Sequence, residues 1–122
     1  MIEITDVRKS YGNKHAVKGI SFEVKEGEIL GFLGPNGAGK STTLNIITGY
    51  LSADSGTVKI DGTDILQNPI KAKRDIGFLP EIPPLYLEMT VLEYLNFVYD
   101  LKGCKLPRKQ HLKEICEVVK IW

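Results

Sequence analysis

The chain has 122 residues, 43% of them hydrophobic and 25% charged, with a formal net charge of +1. That size suits one domain or part of one, and the composition is ordinary for a globular chain. The near-neutral charge gives no basis for nucleic acid or an anionic membrane surface as partner, no apolar run approaches the roughly 20 residues of a membrane helix, and the first residues lack the features of a signal peptide.

Residues 1–8 alternate Ile2 and Ile4 with Glu3 and Thr5, which predicts a half-buried strand. Ser10, Tyr11, Gly12 and Asn13 form a turn, and residues 16–24 alternate again through Ile20, Phe22 and Val24. The two strands should make an antiparallel hairpin with one wet face. Residues 29–33 are apolar almost throughout, as expected of a central parallel strand. Residues 41–48 read as a helix with Gly49 as its stop. After a polar turn at 51–56, residues 57–60 alternate and end in Asp61-Gly62, so a strand returns to the antiparallel part.

Residues 69–74 suit one or two helical turns, and 76–79 a short strand stopped by Pro80. Pro83 and Pro84 keep 81–89 extended. Thr90 and Glu93 have the spacing of a capping box, and Val91, Tyr94, Leu95 and Val98 follow a helical period up to a stop near Gly103. Pro107 can open the last helix, with Leu112, Ile115, Val119 and Trp122 on one face. No stop signal follows, and the expectation is a chain cut before its fold is complete. Such a chain should be marginally stable or self-associate through unburied apolar faces such as that of Leu112, Ile115 and Trp122.

The chemistry concentrates at Gly34, Pro35, Asn36, Gly37, Ala38, Gly39, Lys40, Ser41 and Thr42, which fit G-x-x-x-x-G-K-[ST]. Glycines let the backbone approach a phosphate closely, successive N–H groups form an anion nest, and the helix N-terminus adds its positive end. Lys40 can bring a full charge to the β- and γ-phosphates, the Ser41 hydroxyl can ligate Mg²⁺, and Thr42 can bond a phosphate oxygen. A glycine turn that only joins strand to helix explains neither the Lys nor the hydroxyl. The glycine spacing does not fit the dinucleotide fingerprint G-x-G-x-x-G. A guanine-specific N-K-x-D is not met at Asn13-Lys14-His15-Ala16, and Asp100-Leu101-Lys102-Gly103 falls at a helix end rather than after a strand. Cys104 and Cys116 read as two reduced thiols of a cytosolic protein, and His15 and His111 stand apart from any metal cluster.

Beyond the loop, nearly every residue resembles the first part of the ATP-binding subunit of an ATP-binding cassette (ABC) transporter. The segments that carry the likeness include Gly56-Thr57-Val58-Lys59-Ile60-Asp61-Gly62 and Ile76-Gly77-Phe78-Leu79-Pro80-Glu81, the latter similar to the entry of the family's Q-loop. The resemblance implies an α/β P-loop NTPase fold of the ABC ATPase type with an antiparallel β part. It places a nucleotide-binding core and β part in 1–81 and the start of a helical subdomain in 82–122. It implies ATP and Mg²⁺ as cofactors, and adenine stacking by Tyr11 with Val17 packed on the same base. As residues, Tyr11 could also be an ordinary turn aromatic, and Val17 part of a hairpin core.

Phosphate contacts are implied for Gly34, Asn36, Gly37, Ala38, Gly39, Lys40, Ser41 and Thr42, with Lys40 and Glu81 as catalytic candidates and Ser41 and Glu81 as metal ligands. Glu81 departs from the family's usual Gln, because a carboxylate carries charge and cannot donate when ionised. That departure resembles the subset serving drug, polysaccharide or gliding-type exporters. The apolar loop 82–87 either faces a membrane subunit or packs inward. No LSGGQ-like signature, Asp-Glu pair or switch histidine occurs within these residues. The expected partners are a transmembrane permease subunit and a second ATP-binding subunit, as homodimer or heterodimer, on the cytoplasmic membrane face. The 122 residues alone should bind ATP and hydrolyse it negligibly.

Overall fold

The computed structural model describes residues 1–122, which form two compact units, Met1–Phe78 and Leu79–Trp122. In the first unit β1 (Ile2–Tyr11) and β2 (Lys14–Val24) make the expected hairpin, followed by α1 (Lys40–Ile47), β3 (Ser55–Ile60), β4 (Thr63–Asp64) and α2 (Pro69–Arg74). The sheet order is β2-β1-β3-β4, and every pairing is antiparallel. β1 is therefore hydrogen-bonded on both edges, to Val24 and Ile60 at its Ile2 end and to His15 and Lys14 near its other end. The two-residue β4, which the Asp61-Gly62 turn creates, is an addition to the sequence expectation.

One face of this sheet is buried. Ile4, Val7, Val17, Val58 and Ile60 from the strands meet Ile46 and Ile47 of α1, with Ile65 and Ala72 closing the cluster. The alternation of the strands supplies the sheet side of this core, and the spacing of Thr43, Ile46 and Ile47 gives α1 one buried face. The sheet thus seats the helix whose first turn follows the glycine loop.

Two expected strands do not form. Residues 29–33 and 76–79 belong to no ladder, and Ile29 and Leu33 are 98% and 94% exposed. A parallel strand is stable only with neighbours along its edges, and β1, β2 and β3 satisfy one another instead. The parallel core that the apolar run 29–33 predicts is absent from the 122 residues described.

The second unit holds α3 (Val91–Leu101) and α4 (Arg108–Val118). The capping box forms as expected: the Glu93 N–H donates to Thr90 Oγ1 at 3.3 Å, and the Thr90 N–H donates to Glu93 Oε2 at 2.7 Å. A second tie joins the two helices. The Arg108 guanidinium lies 4.3 Å over the Tyr99 ring, donates to Asn96 Oδ1 at 3.1 Å and pairs with both oxygens of Asp100. Leu112 and Cys116 are the buried residues of α4, while Ile115 and Trp122 remain exposed.

Ile46 is 2% exposed and links α1 to the sheet, so Ile46→Ala should cost about 3 kcal/mol in urea unfolding. Acid should loosen α3. The Thr90 N–H and hydroxyl hold the Glu93 carboxyl below its usual value, and Arg108 does the same for Asp100. Lowered folded values mean that both contributions are complete above the ordinary carboxylate range, about pH 4, and fade as pH falls through the folded values. Helicity followed by circular dichroism should decline on acidification below about pH 4, and Glu93→Gln should remove part of that dependence.

Candidate nucleotide site

Gly39 stands at the junction between loop and helix, in the left-handed region with φ +94. A side chain there would put its Cβ 2.2 Å from the Ala16 carbonyl oxygen of β2, so only glycine lets the loop lie this close to the hairpin. Gly37, with φ +83, makes the other left-handed turn of the loop. Next to it the Ala38 N–H donates to the Pro35 carbonyl at 3.1 Å. No side chain caps α1, which leaves the first backbone donors of the helix directed out of its N-terminus. Thr43 Oγ1 instead donates back to the Gly39 carbonyl at 2.8 Å and is itself buried.

Against this loop lies a cavity of about 220 Å³ lined by Asn36, Gly37, Gly39, Lys40, Ser41 and Thr42 on one wall. Tyr11, Lys14 and Ala16 of the hairpin make the other wall. The lining contains two lysines, three hydroxyls (Tyr11, Ser41 and Thr42) and no carboxylate. Lys40 Nζ donates to the Pro35 carbonyl at 2.9 Å and also to the Gly34 carbonyl, so it bonds neutral acceptors and makes no ion pair. The arrangement suits an anion: left-handed glycines that admit a close approach, free helix donors, and positive charge without a carboxylate to cancel it.

Tyr11 is held from behind. The Asp54 carboxylate accepts from the Ser10 N–H at 2.7 Å and from Lys9 Nζ at 3.2 Å, and the Lys9 ammonium lies 5.6 Å from the Tyr11 ring centroid. These bonds, the Ser10 N–H first and then Lys9, keep the Asp54 carboxyl below the usual carboxylate range. Tyr11 remains half exposed at the cavity wall.

The structure brings together Tyr11, Asn36, Gly37, Gly39, Lys40, Ser41 and Thr42. Gly34 meets them through its carbonyl on Lys40, whereas Ala38 lies in the loop with its N–H on the Pro35 carbonyl and does not line the cavity. Val17 is not brought there: it is 5% exposed, packed in the core under β2, and Ala16 takes the place beside Tyr11. Glu81 is an exposed residue of the second unit. Lys14, Ala16 and Asp54 were not anticipated. The hairpin period could have shown that Lys14 and Ala16 share a face, but the role of Asp54 depends on a contact 44 residues away in sequence.

Comparison with known proteins decides the family. A family model described as ABC transporter matches residues 17–122. The chain belongs to the ABC transporter family. Its ABC relatives include the linearmycin resistance ATP-binding protein LnrL of Bacillus subtilis, 46% identical over 80% of this chain and 31% of that protein. The bacitracin transport ATP-binding protein BcrA of Bacillus licheniformis is 35% identical over 98% of this chain and 38% of its own length. The chain therefore spans between about three and four tenths of these relatives. Among solved structures, the dimeric ABC transporter cassette MJ0796 superposes with a TM-score of 0.76 at 33% identity, over 93% of this chain and 55% of that one. The same cassette has also been solved bound to ADP and Pi.

The two glycines separate strain from collision. Gly37→Ala meets no atom within 4 Å and should cost about 1–2 kcal/mol of backbone strain in equilibrium unfolding. Gly39→Ala adds the clash with Ala16 and should cost clearly more and open the cavity. Parallel urea melts of the two variants check the order.

Proposed function

We propose that this chain binds Mg-ATP at the loop 34–42, and that the longer subunit to which its relatives correspond uses ATP hydrolysis to drive transport through a separate transmembrane subunit. The observation that carries the first half is the carboxylate-free cavity with Lys40, Ser41 and Thr42 on one wall and Tyr11 on the other. Its volume of about 220 Å³ lies below the 300–1,000 Å³ typical of whole-ligand pockets. It accommodates the phosphate chain, with adenine at the open rim where Tyr11 offers its ring.

In this reading the loop N–H groups and the first turn of α1 bind and orient the phosphates. Lys40 exchanges its two carbonyl acceptors for phosphate oxygens. The Ser41 hydroxyl, at the cavity wall, would hold Mg²⁺ together with the bound phosphates. Bound Mg²⁺ would neutralise charge on the phosphates. Glu81 is proposed as a nucleotide-sensing residue on its Q-loop position alone. Tyr11 stacks on the base, with Ala16 and not Val17 as the aliphatic neighbour at the wall.

The cavity holds no carboxylate or histidine to orient an attacking water, and positioning plus charge stabilisation is what phosphoryl transfer requires. The 122 residues therefore bind rather than turn over ATP. The names of LnrL and BcrA, which tie them to linearmycin resistance and bacitracin transport, support an exporter of antibiotic-like compounds as the parent system. The dimeric cassette MJ0796 supports pairing of two ATP-binding subunits. The names of LnrL and BcrA as ATP-binding proteins support a separate membrane subunit contacted from the cytoplasmic face.

Mg-ATP titrated into the chain and into Lys40→Ala tests the proposal, with GTP as competitor. Saturable binding that Lys40→Ala weakens by tenfold or more, on the order of 1.4 kcal/mol, with ATP favoured over GTP, is expected. Phosphate release by the chain should not exceed that of Lys40→Ala. Equal binding by both proteins would overturn the site, and turnover well above the variant would overturn the division of labour.

A further inference from the structure

We infer that Lys14 is a second nucleotide-binding cation, delivered by the β1–β2 hairpin to the phosphate chain at its base-proximal end. The inference rests on the reading of the cavity as an ATP site.

Lys14 is the first residue of β2 and pairs directly with Tyr11 across the hairpin turn. Both line the cavity, facing the wall formed by the glycine loop and Lys40. Ladder pairing fixes Lys14 beside the aromatic ring, so its flexible stem starts from the end of the cavity where a base would stack. The Lys40 ammonium works from the other wall, against the loop carbonyls of Gly34 and Pro35. A nucleotide lying between Tyr11 and the loop would pass Lys14 before it reached Lys40.

The charge balance supports the same assignment. Of the other cations on the hairpin strands Arg8 pairs with Asp6 and Lys9 with Asp54, while Lys18 has no carboxylate partner but does not line the cavity. Lys14 is exposed and pairs with no carboxylate. No carboxylate lines the cavity either. A triphosphate brings several negative charges, and Lys40 alone answers one of them. A second ammonium on the facing wall lets positive charge meet the chain from two sides, where one wall alone would leave oxygens to water. A turn lysine kept only for solubility would be just as exposed, yet nothing would require it to share a cavity with Tyr11 and the loop. The Lys14 side chain makes no hydrogen bond or ion pair, and its ladder pairing with Tyr11 is through the backbone, so removing its charge leaves the fold intact and variants report on binding alone.

The test titrates Mg-ATP and, separately, adenosine into the chain and into Lys14→Gln, Lys14→Arg and Lys40→Ala, at low and physiological ionic strength, with thermal melts of each. Lys14→Gln should weaken Mg-ATP about tenfold at low salt and by less at physiological salt, where screening already blunts the contact. Lys14→Arg should keep the affinity within about twofold, because it keeps the charge. Adenosine, which has no phosphate, should bind the chain and Lys14→Gln alike, and the melts should coincide. Unchanged Mg-ATP affinity in Lys14→Gln, beside a loss in Lys40→Ala, would overturn the role of Lys14 and leave the ATP site standing. Equal losses for adenosine and Mg-ATP in Lys14→Gln would also overturn it, by making Lys14 part of the pocket's shape. No difference between the chain and Lys40→Ala would overturn both readings together.

Discussion

The approach of Gly39 to the Ala16 carbonyl is the contact on which the site depends. A Cβ at that position would lie 2.2 Å from the oxygen, so the glycine is what lets α1 begin against the hairpin. Without it the loop would stand away from β2, and Tyr11, Lys14 and Ala16 would no longer share a cavity with Lys40, Ser41 and Thr42. The glycines of a phosphate loop are commonly explained by the ligand's need for space. Here one of them is also required by the protein's own backbone, before any ligand is considered.

The hairpin has two distinct duties. Its buried face, through Val7 and Val17, helps build the core that seats α1. Its end carries Tyr11 and Lys14 to the cavity. Alternation along β2 assigns these duties to neighbouring residues, Ala16 to the cavity and Val17 to the core. Asp54 adds rigidity by gripping the Ser10 N–H and Lys9 just before Tyr11. The ring is thus positioned by a strand, a turn and a carboxylate from three parts of the chain.

The unpaired apolar stretch 29–33 shows the limit of what these 122 residues do together. Ile29 and Leu33 are nearly fully exposed although they precede the loop directly. An antiparallel sheet needs only short turns and forms within the chain. A parallel strand needs partners brought back by crossovers, and no crossover strand pairs here. The relatives in the ABC family are two to three times as long as this chain. The site's anchoring is consequently carried by the antiparallel part and α1, not by a strand leading into the loop.

The residues alone determined the hairpin, the helix after the loop, the capping box of α3 and the glycine, Lys40, Ser41 and Thr42 pattern on which the phosphate proposal rests. Each of these rests on local causes: a period of two, a period near 3.6, a cap spacing, a glycine pattern. The tertiary structure alone decided that Val17 is core while Ala16 faces the cavity, that Asp54 braces Tyr11, and that Lys14 lines the same cavity as Lys40. It also decided that 29–33 forms no strand. These outcomes turn on which distant segments meet, and a periodic pattern states how a segment presents its faces without naming what will cover them.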